Sequence, residues 1–312
     1  MRILPTLLFL AIVAALPIAV PWLQFVFTLA LAHGLAALGV ALLLRAGLIS
    51  LGHATYYALG AYAAAFLSRS VGVTDFFVLI AGGILVAAAA GVLIGLFMVR
   101  YRSIFFGMLN LAVSMILFAF LAKFYGLTGG TDGIRVSTPT VFGAAFDRKT
   151  FGDVLFYSLL VIIALVTFGV TRYLRSPMGE ALSAVHTNEV RLEYLGISVN
   201  RVLLSAYTLS AALAGLGGAI GGIAIGHVVP EMAYWTGSGH LVLVAVLGGI
   251  GGVLGPLIGS VFLELVHTLA AGYASDVWNL IVGVTLLFVI FFLPQGLYGL
   301  PARLFGRKEA AK

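Results

Sequence analysis

The chain has 312 residues, of which 62% are hydrophobic and only 9% charged, and its mean hydropathy is +1.15. Because a soluble domain carries about 25% charged residues, this composition excludes a soluble protein and requires lipid as the solvent for most of the chain. The 17 basic and 11 acidic residues give a formal net charge of +6, and the absence of cysteine excludes disulfide bonds.

Ten apolar runs are candidate membrane spans, since about 20 apolar residues cross a bilayer as an α-helix. They cover residues 4–21, 23–44, 48–67, 76–99, 104–124, 153–173, 202–225, 238–255, 257–272 and 277–294. We interpret the first run as a membrane helix, with a cleavable signal peptide as the alternative because Ala14 and Ala15 resemble a cleavage site. We therefore predict an all-α, polytopic membrane protein that forms one domain over residues 1–312.

The basic residues predict the orientation of these spans, because short cytoplasmic loops are enriched in lysine and arginine. With the N-terminus in the cytoplasm, five of the 17 basic residues lie outside and twelve lie inside. The five are Arg69, Lys123, Arg135, Arg148 and Lys149. The opposite orientation would reverse this ratio, so we predict that both termini are cytoplasmic. Residues 125–152 then form an outer loop and residues 174–201 an inner loop, names that we keep below.

The third span lies in the stretch GLISLGHATYYALGAYAAAFL and is unusually polar for a membrane helix. Ser50, His53 and Tyr57 follow the spacing i, i+3, i+7, which predicts one helical face. Polar side chains that face lipid are costly, so these must face protein or water. Two interpretations remain open: hydrogen bonds to neighbouring helices, or the lining of a translocation path by Ser50, Gly52, His53 and Tyr57. For His53 by itself, we favour a structural hydrogen-bonding role over a proton relay.

Small residues in the same stretch predict close packing and a possible break. Gly52, Tyr56 and Gly60 form a stripe that would let another helix approach. Gly47 and Gly52 flank a segment where the helix could begin late. The free N–H groups of such a helix start could hold an anionic group, for instance a substrate carboxylate.

The inner loop contains RSPMGEALSAVHTNEVRLEYLGISVNR, residues 175–201. Ser176 followed by Pro177 predicts a helix start, Thr187 and Asn188 predict the cap of a second short helix over 189–195, and Gly196 predicts its end. A largely apolar stripe follows helical spacing and consists of Met178, Leu182, Val185, Glu189 and Leu192. We therefore predict two short amphipathic helices beside the membrane.

Three roles are open to this helix pair. It could rest on lipid headgroups, which basic residues would favour, or it could dock a cytoplasmic partner. An enzyme site is disfavoured, because Glu180, His186 and Glu189 match no metal-binding or acid–base spacing.

Several motifs resemble those of one transporter family. Gly179-Glu180-Ala181-Leu182, with Leu195-Gly196-Ile197 about 14 residues later, resembles the EAA loop of bacterial ABC importer permeases. The stretch LISLGHATYYALGAY resembles a signature of the branched-chain amino acid ABC transporter permease family, and LVLVAVLGGIGGVLGPLIGSVFLELV resembles its C-terminal glycine-rich helix pair. The segment RYRSIFFGMLNLAVSMILF, followed by LTGGTDGI, resembles the LivM-type subunit rather than the LivH-type subunit. The resemblance covers about residues 25–300.

This resemblance implies a permease subunit in the bacterial inner membrane. It implies four kinds of partner: a second homologous permease, two ABC ATPases that use ATP and Mg, a periplasmic substrate-binding protein that the outer loop would face, and the lipid bilayer. It implies neither a cofactor bound by this chain nor a nucleic-acid partner. The residues that would couple to the ATPases are Met178, Gly179, Glu180, Ala181, Leu182, Val185, Glu189 and Gly196. The implied substrates are branched-chain or related small amino acids, with urea or short amides as alternatives.

The chain contains no Gly-Lys-Ser/Thr sequence, so no phosphate-binding P-loop is predicted and the chain is not expected to be an enzyme. The stretch ALAGLGGAIGG, residues 212–222, lacks the setting of a nucleotide loop and predicts helix packing through small residues. Residues 248–259, with Pro256, predict a re-entrant turn or a discontinuous helix.

Glu264, with His267 three residues later, is an intramembrane carboxylate and therefore a functional candidate; the alternative is a packing partner. The main rival function is a stand-alone secondary transporter or channel, for which Glu264, His267 and His53 would be the ion or proton site. A membrane-embedded enzyme would need histidines or carboxylates clustered at one membrane depth, and the sequence indicates no such cluster.

Overall fold

A computed structural model describes residues 3–273, 278–293 and 295–299. The α-helices are α1 (Ile3–Ala19), α2 (Leu23–Leu44), α3 (His53–Ser70), α4 (Phe76–Met98), α5 (Ser103–Lys123), α6 (Tyr125–Thr128), α7 (Arg148–Leu174), α8 (Pro177–Thr187), α9 (Glu189–Tyr194), α10 (Val199–Ile225), α11 (Trp235–Gly248), α12 (Gly255–Tyr273) and α13 (Trp278–Phe292). Single 3-10 turns cover Gly130–Asp132, Pro230–Ala233 and Leu297–Gly299. The prediction of an all-α protein needs one correction, because β1 (Ile134–Arg135) pairs antiparallel with β2 (His227–Val228).

Each of the ten predicted spans overlaps one of the longer helices. Within the described residues, six helices are long and apolar enough to cross a membrane: α2, α4, α5, α7, α10 and α12. Shorter apolar helices cover Leu8–Ala19, Trp235–Gly248 and Leu280–Val289. The protein is a multi-pass membrane protein. The count of ten spans and the cytoplasmic position of both termini stay predictions. The basic residues Arg303, Arg307, Lys308 and Lys312, which entered the charge count, lie outside the described residues.

The apolar run predicted as the third span begins five residues before the helix, and the alternative prediction, a helix that begins late between Gly47 and Gly52, is confirmed. Helix α2 ends in a left-handed turn at Gly47, whose φ is 73°, and the N–H of Leu48 donates to the carbonyl of Leu43 at 3.1 Å. This closure is the glycine-terminated helix end that only a residue without a side chain adopts easily. Helix α3 therefore begins at His53, and Ser50 precedes it in non-helical chain. Of the predicted helical face, His53 and Tyr57 lie on α3, whereas Ser50 lies outside the helix.

Helix α10 is the central element and packs against α2, α3 and α4. Its glycines lie directly on neighbouring backbones. A Cβ on Gly218 would overlap the carbonyl oxygen of Tyr57, and a Cβ on Gly217 would overlap that of Ala32. Conversely, a Cβ on Gly60 of α3 would overlap the carbonyl oxygen of Gly215. The predicted role of these glycines in close helix packing is confirmed.

The glycine-rich stretch after α11 breaks the helix. Helix α11 ends at Gly248 and α12 begins at Gly255, and the chain between them is not helical. A Cβ on Gly248 would overlap the carbonyl oxygen of Gly255, so the two helix ends touch through their backbones. This geometry confirms the discontinuity that is predicted for residues 248–259.

Connections that are predicted on the same side of the membrane contact one another. In the outer loop, Thr140 bridges to Asp75, and β1 pairs with the β2 segment that follows α10. At the opposite end, Arg102 forms an ion pair with Glu189 of the inner loop, and His186 lies against Gly47. These contacts agree with the predicted grouping of the loops into two sides, whichever side faces the cytoplasm.

Candidate functional site

The start of α3 is held by a chain of hydrogen-bonding groups. His53 Nδ1 lies 2.8 Å from Ser50 Oγ, and His53 Nε2 lies 2.5 Å from Ser210 Oγ on α10. All three side chains are completely buried. The imidazole thus ties the non-helical chain before α3 to the central helix. This geometry matches the interpretation of His53 as a hydrogen-bonding group.

A second buried polar chain runs beside the first. The hydroxyl of Tyr56 donates to the hydroxyl of Tyr207 at 2.8 Å, which donates to Asn110 Oδ1 at 2.5 Å. The amide of Asn110 donates to the carbonyl of Phe106 at 2.7 Å. A Cβ on Gly52 would overlap the Asn110 carbonyl oxygen, so α3 begins directly on α5. Asn110 and Tyr207 were not predicted from the sequence, where their signal is a lone polar side chain within an apolar run.

A cavity of about 450 Å³ opens between α2, α3, α11, α12 and α13. Its volume lies within the range of small-molecule sites, about 300–1,000 Å³. Its lining is mainly apolar, with two carboxylates and three imidazoles. The lining residues are His33, Ala54, Tyr57, Ile225, Val229, Glu231, Met232, Gly237, His240, Leu241, Leu263, Glu264, His267 and Val282. Of the pathway residues predicted on the third span, Tyr57 lines this cavity, whereas Ser50, Gly52 and His53 are packed beside it.

The polar part of the cavity is centred on Glu264. One carboxylate oxygen lies 3.7 Å from His33 Nδ1 and the other lies 3.8 Å from His267 Nδ1. The ring of His33 stacks on Tyr57 at 5.4 Å and meets the ring of His240 edge-on at 5.8 Å. One carboxylate is thus surrounded by imidazoles from three helices.

Two members of this cluster, Glu264 and His267, were predicted as a candidate site, and the other two were not. The prediction that histidines and carboxylates form no cluster is wrong. His33 and His240 are the single histidines of α2 and α11 and lie more than 200 positions apart in the sequence. Neither has a local periodicity that points to the other, and the packing of α2 against α11 and α12 brings them together.

The inner loop has the predicted caps. The hydroxyl of Ser176 accepts from the N–H of Gly179 at 3.4 Å, and Asn188 Oδ1 accepts from the N–H of Arg191 at 3.0 Å. Thr187, the other predicted cap residue, is instead the last residue of α8. Gly196 follows α9 with φ at 78°, the left-handed value that ends a helix.

The predicted stripe of the inner loop divides into a buried and an exposed part. Buried residues of the inner loop are Gly179, Ala181, Leu182, Val185, Leu192 and Val199. Met178 and Glu180 are exposed. A second apolar surface also faces outward: Tyr194 is 87%, Leu195 70% and Val190 59% exposed. The exposed residues form a surface that is available to a partner, and the buried ones attach the loop to the helices.

Two contacts connect the inner loop to the helix ends. Arg102, just before α5, donates through Nε to Glu189 at 2.8 Å, and the ring of His186 lies against Gly47 at the end of α2. Glu189, predicted to meet a partner, is therefore also an internal ion-pair partner. The loop is tied to the chain segments that precede α3 and α5.

Comparison of the sequence with known proteins identifies the family. Residues 22–290 match the model of the branched-chain amino acid transport system / permease component family. The chain belongs to this family. One relative is the high-affinity branched-chain amino acid transport system permease protein LivM of Salmonella typhimurium, which is 32% identical to this chain over 272 residues. The alignment covers 80% of this chain and 64% of that protein.

Two further relatives agree with this membership. LivM of Escherichia coli is 31% identical over 317 residues, covering 92% of this chain and 74% of that protein. LivH of Salmonella typhimurium is 27% identical over 293 residues, covering 88% and 93% of the two chains. The predicted resemblance to the LivM type is confirmed. The chain spans less than two thirds of the Salmonella LivM. No solved structure matches the chain.

Proposed function

We propose that this chain is the translocation subunit of an ATP-driven importer in the bacterial inner membrane, with ten spans and both termini in the cytoplasm. Its substrates are branched-chain or related small amino acids, and it works by alternating access. Membership in the branched-chain amino acid permease family supports this function. The observation that supports this function most directly is a ligand-sized cavity beside the first turns of α3. The exposed, capped helices α8 and α9 of the inner loop, which contacts the chain segment before α3, agree with it.

The cavity suits a small amino acid in its chemistry. Its apolar wall of leucine and valine side chains would receive an aliphatic side chain. Glu264 would accept hydrogen bonds from the substrate ammonium group, since charge-assisted bonds are the strong ones in a largely apolar site. Tyr57 and His267 would border the same group. The remaining predicted pathway residues would shape the path by positioning α3 rather than by touching the substrate: Ser50, Gly52 and His53.

The inner loop would transmit the state of the ATPases. Its exposed apolar residues Val190, Tyr194 and Leu195 would enter a groove on an ATPase subunit, with Met178 and Glu180 at the edge. Movement of the loop would reach the start of α3 through the contact of His186 with Gly47, and α5 through the ion pair of Glu189 with Arg102. ATP and Mg would be bound by two separate ATPase subunits, and a second permease and a periplasmic binding protein would complete the importer.

A second candidate is a stand-alone secondary transporter or channel for a small polar solute. One observation favours it: Glu264 and its imidazole neighbours line the cavity, where an ion or proton site would be needed. Urea and short amides are the alternative substrates within the importer interpretation, because their N–H groups would donate hydrogen bonds to the carboxylates that line the cavity.

The deciding experiment is purification in mild detergent after expression from the native gene neighbourhood, followed by uptake in liposomes. We expect two ATPase subunits and a second permease to co-purify and uptake to require ATP. A lone chain that is active without ATP would contradict the importer and support the second candidate.

Substitutions in the inner loop test the coupling directly. Glu180→Ala and Gly196→Ala should reduce ATP-dependent uptake by more than half while the chain still folds. The matched control for Gly196 is Gly72→Ala, since both glycines have φ above 70° and a Cβ added to either would meet no atom within 4 Å. The control for Glu180 is Asp147→Ala in the outer loop, whose side chain makes no cap hydrogen bond. Equal uptake in all four variants would contradict a coupling role.

A further inference from the structure

We propose that the cavity contains a binding site for a divalent transition-metal ion of the zinc class, formed by His33, His240 and Glu264. Each of the three residues offers one ligand atom, and these atoms lie within 4.8 Å of one another. They come from three helices, α2, α11 and α12. A metal site in this cavity goes beyond the proposed transport of amino acids.

The spacing of one pair of ligand atoms is already close to what a zinc ion needs. Zinc bonds to nitrogen and oxygen ligands are about 2.0–2.2 Å long in tetrahedral sites, so neighbouring ligand atoms lie roughly 3.4 Å apart. His33 Nδ1 and Glu264 Oε2 are already 3.7 Å apart. The remaining approach requires rotation of side chains, and His33, His240 and Glu264 all border the open volume of the cavity.

The donor set selects the class of metal. Imidazole nitrogen suits zinc, copper, nickel and iron, whereas calcium and magnesium prefer sites made of oxygen ligands. Two imidazoles and one carboxylate therefore favour a transition metal. The described residues that line the cavity include a second carboxylate, Glu231, and neither lysine nor arginine. A cation would thus meet no fixed positive charge there.

The hydrogen bonding of His33 gives a second observation that points to a ligand. Its Nδ1 atom is buried and has no hydrogen-bond partner among the described residues. Buried polar atoms nearly always have a hydrogen bond, so an imidazole nitrogen that faces a carboxylate at 3.7 Å without one needs an explanation. A metal ion between His33 Nδ1 and Glu264 Oε2 would satisfy both atoms.

His267 contacts the proposed ligand Glu264 on the side that faces away from His33. Its Nδ1 atom lies 3.8 Å from Oε1 of Glu264, the oxygen that does not face His33. Residues that hold a ligating carboxylate in this way set its orientation and typically affect metal affinity by about 10–100-fold. We therefore assign His267 as a positioning residue rather than as a ligand.

Occupation of this site would affect transport if the proposed function holds. The ion would join α2, α11 and α12 across the cavity, and alternating access requires helices around a substrate site to move relative to one another. We therefore expect zinc to inhibit uptake by holding the cavity in one state. Metal binding itself is independent of the proposed function and is measured separately.

The test uses the purified transporter, with all subunits that accompany the chain, in lipid nanodiscs and with an affinity tag that contains no histidine. Zinc binding is measured by calorimetry against a competing chelator. Cobalt is added in a parallel experiment, because its visible absorption reports the coordination geometry. We expect one ion per copy of the chain. The variants His33→Ala, His240→Ala and Glu264→Gln should each lose affinity by more than tenfold and lose the cobalt spectrum.

Two further variants test whether the loss of zinc affinity is specific to the three proposed ligands. His267→Ala should lower zinc affinity by about tenfold and keep a cobalt spectrum, as expected for a residue that only orients a ligand. His227→Ala is the matched control, since His227 is a histidine on β2 that does not line the cavity, and it should bind zinc as the unchanged protein does. Helix content and size-exclusion profiles identify any variant that fails to fold, and His240→Gln then replaces His240→Ala.

The outcomes separate the two proposals. Absence of zinc binding, or equal affinity in all variants, would overturn the metal site. Zinc-sensitive uptake that becomes insensitive in His240→Ala would support both proposals. Zinc binding that depends on His33, His240 and Glu264 in a protein without any amino-acid uptake would support the metal site while contradicting the proposed function.

Discussion

The histidine at the start of α3 and the histidines of the cavity occupy opposite environments. His53 is fully buried, and both of its nitrogens lie within hydrogen-bond distance of serine hydroxyls, at 2.8 and 2.5 Å. His33 stands 3.7 Å from its carboxylate neighbour and beside open space. A satisfied polar group in a packed site stabilises structure, whereas an unsatisfied group beside a cavity is free to bind something else. The difference separates a structural site from a candidate functional one.

The packing that supports the His53 site should be the most sensitive part of the molecule. Gly218→Ala would place a methyl group on the backbone oxygen of Tyr57, and α3 and α10 would have to separate. Because backbone atoms cannot rotate away, we expect a loss of about 3 kcal/mol or more, above the usual range for overpacking. The measurement is the yield of folded protein and its thermal unfolding in detergent. Gly239→Ala on α11 is the control, since nothing lies within 4 Å there; equal behaviour of the two variants would contradict the packing argument.

Removal of the two kinds of histidine should affect stability differently. His53→Ala leaves the hydroxyls of Ser50 and Ser210 without their imidazole partner in a dry site, and each unsatisfied buried group costs about 1–3 kcal/mol. We expect a loss of about 2–4 kcal/mol for His53→Ala. The loss for His33→Ala should be smaller, because His33 Nδ1 has no hydrogen bond to lose and the substitution removes only the ring contacts with Tyr57 and His240. Thermal unfolding of both variants in the same detergent measures this. A larger loss of stability for His33→Ala than for His53→Ala would contradict the distinction between a structural histidine and a cavity histidine.

A substitution in the cavity should change the rate of transport rather than the stability of the protein. Glu264→Gln keeps the shape of the side chain and removes the charge that is proposed to bind the substrate ammonium group. Since a hydrogen bond to a charged group contributes about 1.5–3 kcal/mol, uptake at low substrate concentration should fall by about tenfold or more. The midpoint of thermal unfolding should hardly change. Uptake at the level of the unchanged protein, with ATP present, would show that Glu264 only packs.

Features that depend on local patterns could be predicted from the sequence. Apolar runs located the helices, and the Ser176–Pro177 and Asn188 signals located the two helices of the inner loop, because caps act within three or four residues. The late start of α3 remained one of two alternatives, since the left-handed turn at Gly47 competes with a continuous apolar pattern. In the cavity cluster, Glu264 and His267 were predicted but His33 and His240 were not, because the contact between these residues depends on how three helices pack that are distant in the sequence. No local hydrophobic periodicity indicates such a contact.

The smallest expected effect concerns Thr55, which lies on α3 between His53 of the packed site and Tyr57 of the cavity in the sequence. Its hydroxyl is buried and has no hydrogen-bond partner among the described residues, although the neighbouring residue Ala54 lines the cavity. If the start of α3 is a dry, packed site, Thr55→Val removes an unsatisfied group and should be neutral or stabilising by up to about 1 kcal/mol. Thr28→Val is the control, because the Thr28 hydroxyl donates to the carbonyl of Gln24 at 2.8 Å, and its loss should slightly destabilise. Thermal unfolding compares the two. Destabilisation by Thr55→Val would mean that water or substrate from the cavity reaches this hydroxyl, and the boundary between the packed site and the cavity would then lie on the other side of Thr55.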